Sequence, residues 1–453
     1  MQKTSLFHLM FALLIGGSVS AAKTPEPLTL NKGDTIVILG SGMASRMNHF
    51  GHFETELQLR FPELELTIRN IGDEGNTPAF RPHPGREFAQ QFAFPGAKSY
   101  VKAVHRVSSD PRGHFETPDQ WISRIGADVV LAFFGFNSSF DGPTHVERYE
   151  KELDAFLRHT LSISYNGKTP PRLALISPTA VQDLSASQDT PDGKAINSNL
   201  RLYTSASAKI AAKNNVLFVD AFESSLGWYK DGKRYTTDGA LLNDTGYRKL
   251  APMLADALFG KKKVKNNKAL RARTLATVQD KNWMWLNDFK VPNGVHVYGR
   301  RYNPFGPQNY PFELKKTREM TVNRDHAIWA TIAGKQFDLE EADAKTTKLP
   351  EVPTNYQPSG KNGTLKYLYG KEAEQSISVA EGYKIELFAS EEEFEALANP
   401  VQMAFDNKGR LWVSTMASYP HYRIGDSKPE DKLLILEDTN NDGKADKQTV
   451  FAG

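Results

Sequence analysis

Four short segments hold the residues whose types and placing could do chemistry. Gly40-Ser41-Gly42 follows the apolar run Ile36-Val37-Ile38-Leu39, and Gly135-Phe136-Asn137 follows the run Val129-Val130-Leu131-Ala132-Phe133-Phe134. Asn70-Ile71-Gly72-Asp73-Glu74-Gly75-Asn76-Thr77 follows a third apolar stretch, and Asp238-Gly239-Ala240-Leu241-Leu242-Asn243-Asp244-Thr245-Gly246 leads into a helical one. Ester hydrolysis by a serine enzyme needs a nucleophile, a base that takes its proton, an acidic group that orients the base, and donors for the oxyanion. Strand ends are where such groups can be sought.

Together these segments resemble the blocks of the SGNH/GDSL hydrolases, in the right order from about residue 35 to 260. The resemblance implies a flavodoxin-like three-layer α/β fold with a parallel sheet. It also implies roles: Gly75 offers a backbone N–H to the oxyanion, Asn137 a side-chain amide, and Asp238 is the acidic orienter. The same comparison puts Ser41 where the family has aspartate, Gly42 where it has the nucleophilic serine, and Leu241 where it has the histidine base. A leucine accepts no proton, so the family mechanism cannot run unchanged.

Ser41, one residue before the family position, and Ser45, about one helical turn beyond it, are the substitutes within reach. His49, His52 and His83 are nearest in sequence as replacement bases, and Arg46 and Arg81 are available to add charge. The other reading makes Ser41 the N-cap of a helix after the strand. The sequence thus supports an esterase-like module with a degenerate catalytic set that binds a carbohydrate or ester ligand. Its alternatives are an active carbohydrate esterase or deacetylase using a displaced serine and histidine, and the front end of a sugar-oxidising complex.

The elements that must position these residues are legible. Short apolar runs alternate with amphipathic stretches between Thr35 and Gly260, the pattern of strands and helices wound into a parallel sheet. Strands are expected at Thr35–Leu39, Leu66–Asn70, Asp128–Phe134, Arg172–Ile176 and Val216–Val219, and helices at Thr55–Phe61, Val146–His159 and Ala195–Asn214. An accessory helical segment spans 261–345, with helices at Ala269–Leu286 and Phe312–Gly334 around an irregular Gly294–Pro311. Trp283 and Trp285 read as a packing face. The Pro- and Gly-rich stretch at 346–370 is a linker.

From 371 to 453 the period becomes strand-like. Val401–Phe405 with Arg410–Thr415, and Lys432–Glu437 with Gln448–Phe451, read as two hairpins forming one incomplete β-propeller blade. Within it, Asp438, Asn440, Asp442, Lys444 and Asp446 have the spacing of an EF-hand-like calcium loop with Gly443 at position six, although Thr449 stands where the bidentate glutamate belongs. An Asx-type turn accounts for the same residues without metal. This segment resembles the opening blade of propellers related to sugar dehydrogenases. The domain order is similar to exported multidomain proteins of planctomycete-type bacteria that continue into a haem module, which implies that another chain, or more of this one, completes the propeller.

Lys3, the apolar run Leu6–Ile15 and the small residues Val19-Ser20-Ala21 have the layout of a secretory leader over 1–22, so a periplasmic or secreted protein is expected. No later stretch has the roughly 20 apolar residues a bilayer needs. With no cysteine among 453 residues, disulfides, thiolate catalysis and covalent haem attachment within the chain are excluded. A net charge of +3 gives no general reason to expect nucleic acid as a partner. A small molecule or carbohydrate is the partner that fits.

Overall fold

A computed structural model describes residues 26–83, 85–101, 115–264, 267–291, 294–299, 302–303, 306–351, 368–419 and 428–453. The leader-like segment 1–22 and most of the 346–370 linker lie outside the described residues. The chain divides into two compact units, one formed by 1–303 with 321–339 and the other by 304–320 with 340–453.

The first unit is built on five parallel strands: β1 (Thr35–Gly40), β2 (Thr67–Asn70), β3 (Val129–Phe133), β4 (Arg172–Ile176) and β5 (Leu217–Val219), in the order β2-β1-β3-β4-β5. This is the flavodoxin-like doubly wound order, whose switch point lies between β1 and β3. Pairing is in register, with Ile38 opposite Leu131 and Leu131 opposite Ala174. Every residue of β3 is buried, as a central parallel strand covered on both faces requires. Its helices are α1 (Gly42–Phe50), α2 (His52–Arg60), α3 (Pro118–Ile125), α4 (Phe136–Ser139), α5 (Val146–Leu161), α6 (Lys194–Lys213), α7 (Ala221–Tyr229), α8 (Asp244–Phe259), α9 (Lys268–Phe289), α10 (Gly294–Val297) and, from residue 321 on, α11 (Gly306–Ala333). One face of the sheet forms a core of Ile36, Ile38, Leu131, Phe133 and Ile176 against Leu57 of α2 and Leu250 and Leu254 of α8.

The region expected to be irregular through Pro311 contains α10 and the start of α11, which begins at Gly306 and carries Pro311 inside it. The strand β2 is a sheet edge, and its outward carbonyls alternate at Leu66, Ile68 and Asn70. Side chains close them. Gln58 Nε2 and Trp329 Nε1 donate to Leu66 O at 2.8 and 3.2 Å, Lys281 Nζ to Ile68 O at 3.0 Å, and Trp285 Nε1 to Asn70 O at 2.7 Å. An edge satisfied in this way cannot template a further strand. Trp285 is therefore more than packing: α9 caps the open edge of the sheet. Behind it sits a buried charge network in which Lys281 pairs with Glu54 at 2.7 Å and Arg69 pairs with Asp325.

The second unit contains an antiparallel sheet of β6 (Pro400–Phe405), β7 (Leu411–Thr415), β8 (Leu433–Glu437) and β9 (Lys447–Ala452), in that order. Leu411, Val413, Leu434 and Leu436 pack with Leu397 into a small core, whereas all of β6 is exposed. Asp406 pins the first hairpin by accepting from the N–H groups of Lys408 and Arg410 at 2.8 and 3.1 Å and from Trp412 Nε1 at 3.1 Å.

The calcium candidate resolves into turns. Asp438 accepts from the N–H groups of Asp442 and Gly443, Asn440 from that of Asp442, Asp442 from that of Lys444, and Asp446 from Thr439. Among the described residues no group of three or more acidic or histidine side chains is gathered as a cation site. The side chains of Asp438, Asn440, Asp442 and Asp446 accept from backbone amides, as in Asx turns, and Lys444 contributes its own N–H as a donor.

Candidate functional site

A pocket of ≈160 Å³ opens at the carboxyl ends of the strands. Ser41, Gly42 and Met43 come from the β1–α1 turn, Glu74 and Gly75 from the loop after β2, Phe133 to Asn137 in part from β3 and α4, Pro178 and Thr179 from the loop after β4, and Ala240 to Leu242 from the turn before α8. Open α/β sheets place ligands at this end, beside the switch point.

The turns leave little freedom. Gly40 has φ +141°, and a Cβ there would lie 2.3 Å from Phe133 O, so only glycine lets β1 pass β3 at this point. The loop after β2 closes on itself, since Asn70 Oδ1 accepts from the Gly72 N–H at 2.8 Å and Asn70 Nδ2 donates to Ala44 O at 2.6 Å. Gly75 has φ +82°, and its N–H makes no hydrogen bond among the described residues. Asn137 sits in the one-turn helix α4 and donates through Nδ2 to Asn76 O at 3.1 Å. Asn76 in turn donates to Gly40 O at 3.3 Å, which ties the three strand ends together.

The turn before α8 is as tightly made. Thr237 N–H donates to Leu241 O at 2.7 Å, and Gly239 has φ +95° with its Cβ position 2.9 Å from Gln182 O. Asp238 Oδ1 accepts from the N–H groups of Ala240 and Leu241 at 3.0 and 2.7 Å. Of the four residues singled out from the sequence, Ser41, Gly75 and Asn137 line the pocket. Asp238 does not; it braces the turn that presents Leu241.

Ser41 occupies the N-cap position of α1 but makes no side-chain capping bond, so helix capping does not explain it. Among the described residues no histidine lines the pocket or hydrogen-bonds Ser41 or Ser45. His52 Nε2 pairs with Asp244 at 2.7 Å, His49 lies on α1, and His83 stacks on Phe115 at 3.5 Å and lines a separate cavity with Asp73 and Asn76. Arg46 donates to Leu242 O at 3.4 Å and Arg81 lies over the Phe134 ring, neither lining the pocket.

The sequence reading missed Lys290, just beyond α9. Its ammonium meets Asp73 at 2.8 Å, Glu74 at 3.0 Å and Ser45 Oγ at 3.0 Å. Burial alone would lower the Lys290 pKa, but the bonds and charges of Asp73 and Glu74 outweigh it and raise it. Ser45 therefore faces a charged donor rather than a base. Burial raises Asp73, and its hydrogen bond with Glu74 raises it further. Glu74, despite partial burial, is pushed down to about 2 by hydrogen bonds from Asp73 and Lys290. One carboxylate at the pocket edge is thus ionised and neutralised by Lys290. A separation of more than 200 residues along the chain hid this contact.

What the pocket can do follows from this inventory. Gly75 N–H and the Asn137 amide can face a polar group, and Met43, Phe136, Leu241 and Leu242 can cover an apolar one. No histidine is among the lining residues, and the carboxylate there, Glu74, is paired with Lys290.

The family model "Domain of unknown function (DUF7133)" matches residues 370–453. No curated protein matches the chain. Among solved structures, the chain is similar to an acetylxylan esterase from Geobacillus stearothermophilus (15% identity, TM-score 0.35, covering 53% of this chain and 100% of that one). It is also similar to a protein described as a GDSL-like lipase from Parabacteroides merdae (18% identity, TM-score 0.36, covering 51% and 99%). An α/β hydrolase enzyme from the metagenome of Lake Arreo, Spain, aligns at 17% identity with TM-score 0.36, covering 51% of this chain and 96% of its own.

Proposed function

We propose that the parallel-sheet unit is a ligand-binding module of hydrolase-like architecture, which holds an acyl-decorated carbohydrate or a similar ester in its pocket without turning it over. The observation that carries this reading is the pairing of Gly42 with Leu241 in one pocket beside Gly75 and Asn137. The positions that the SGNH/GDSL resemblance gives to nucleophile and base are together, and neither residue can transfer a proton. The flanking donors remain able to hold a carbonyl. Export, proposed from the leader-like N-terminus, would put the module where polysaccharides are found.

The test is titration of the purified full chain with acetylated xylo-oligosaccharides in a calorimeter, beside a short-chain aryl ester assay. Saturable binding that is weakened by Asn137→Ala, with ester turnover no faster than in Ser41→Ala and Ser45→Ala, supports the module. Turnover abolished by either serine variant would instead establish a live enzyme.

A further inference from the structure

A second cavity in the same unit, of ≈30 Å³, is lined by Arg81 and Arg86 together with Asn76, His83, Asp73 and Asp119. Both arginines are almost fully buried, at 6% and 5% exposure. Among the described residues neither guanidinium forms an ion pair. Arg86 donates only to backbone, to Glu116 O at 2.7 Å and to Arg81 O at 2.8 Å. Arg81 lies over the Phe134 ring at 4.5 Å, and its buried Nη1 has no hydrogen-bond partner.

The surrounding carboxyl groups are engaged elsewhere. Glu152 accepts from the Ala79 N–H at 2.7 Å, Asp119 from Tyr165 at 2.9 Å with His159 at 2.8 Å, and Asp73 holds Lys290. His83 Nδ1 accepts from the Gly85 N–H, so the ring adds no negative charge. A buried charge normally has a hydrogen-bonded counter-charge, and two adjacent cations without one are costly. Burial lowers both guanidinium pKa values to about 9, with Arg86 adding to the effect on Arg81, and outweighs the attraction of Glu152 and Asp119 on Arg81 and of Glu116 and Asp73 on Arg86.

We propose that Arg81 and Arg86 hold a monatomic inorganic anion of the chloride class in this cavity. Size selects the class. About 10–15 Å³ of such space holds one water, so ≈30 Å³ suits one small ion with one water. The unpartnered Arg81 Nη1, with Arg86 beside it, offers an anion a donor that the engaged carboxyl groups do not use. The accompanying water supplies the donor that the buried Asn76 Oδ1 lacks. Because the main chain of Asn76 accepts the Asn137 amide, the ion also steadies the loop that presents Gly75.

The test uses the full chain in two arms. Its thermal midpoint is measured while chloride replaces gluconate at fixed ionic strength and pH, and wild-type crystals are soaked in bromide and examined for anomalous scattering. The expected results are a midpoint that climbs with the logarithm of chloride, no such climb with sulfate or in Arg81→Met, and a bromide peak in contact with Arg81 Nη1. A water without anomalous signal at that position would overturn the proposal. So would a halide-dependent midpoint with every peak outside the cavity. The crystallographic arm needs no variant to fold.

Discussion

Gly42 and Leu241 face each other closely enough that a Cβ built on Gly42 would stand 4.0 Å from Leu241 Cδ2 and 3.8 Å from Glu74 Cγ. Those are ordinary van der Waals separations, and Gly42 is the first residue of α1, not in a left-handed conformation. A serine side chain therefore has room at 42, and a histidine at 241 would meet it.

The double variant Gly42→Ser/Leu241→His is accordingly expected to hydrolyse a short-chain aryl ester. A positioned base is worth about 10²–10⁴-fold, so its turnover should exceed that of either single variant by about 10²-fold or more. Adding Asn137→Ala should then remove about 10²-fold, the usual cost of one oxyanion donor. Equal, background rates in all the variants would show that the pocket does not hold an ester in a reactive pose.

The two central serines should be inert in the wild-type chain. Ser45 is buried against the Lys290 ammonium, whose pKa is raised by Asp73 and Glu74, so no neutral amine forms in the ordinary assay range. Ester turnover measured from pH 6 to pH 9 is expected to be the same for wild type and Ser45→Ala. A rate that rises with pH in wild type alone would show Lys290 acting as a base.

The sheet and most of the pocket could be read along the chain because their signals are local. The all-apolar run of β3 and the glycines at 40, 75 and 135 announce a buried strand and tight turns wherever they fall, and the strand bounds differ from expectation by at most a residue at each end. Contacts that join distant segments left no such trace. Nothing near Lys290 announces Asp73, and nothing in Trp283-Met284-Trp285 says that one indole will cap Asn70 O while the other does not. Asp238 misled for a related reason: a carboxylate three residues before a candidate base serves equally well as an Asx-turn acceptor, and only the fold shows which N–H groups it meets. The Gly-, Pro-, Asn- and Tyr-rich composition of 294–311 misled as well, because α11 begins at Gly306 and carries Pro311 inside it.

Acid should unfold the chain in part through His83. Burial, aided by Arg86 and Lys290, lowers its pKa to about 3, against 6.5 for an unperturbed imidazole. Between those values the unfolded chain takes a proton that the folded chain refuses, so stability falls as pH falls from 6.5 toward 3 and is unaffected by this group above 6.5. The slope from one such group is at most about 1.4 kcal/mol per pH unit. Denaturant unfolding of wild type and His83→Gln at pH 7.5, 5.5 and 4.5 should show the wild type losing ground to the variant on acidification. Parallel pH profiles would mean that His83 protonates freely in the folded state.

Lys281 should be among the most damaging positions to truncate. Its ammonium is 1% exposed and satisfies Glu54, Ile68 O and the Asn282 amide at once. Lys281→Ala leaves the Glu54 carboxylate buried without its counter-charge, while Ile68 O keeps Arg69 Nη1 as a donor at 3.0 Å, and breaking a buried pair from one side costs about 3–5 kcal/mol. Trp285→Phe removes only the indole donor to Asn70 O and keeps most of the packing, so about 1–2 kcal/mol is expected there. The decisive comparison is Lys281→Met with Glu54→Gln. Neutralising both partners while keeping their volume should recover much of what Lys281→Ala loses, because the penalty lies in the stranded charge. If the double variant is no more stable than Lys281→Ala, the loss comes from packing.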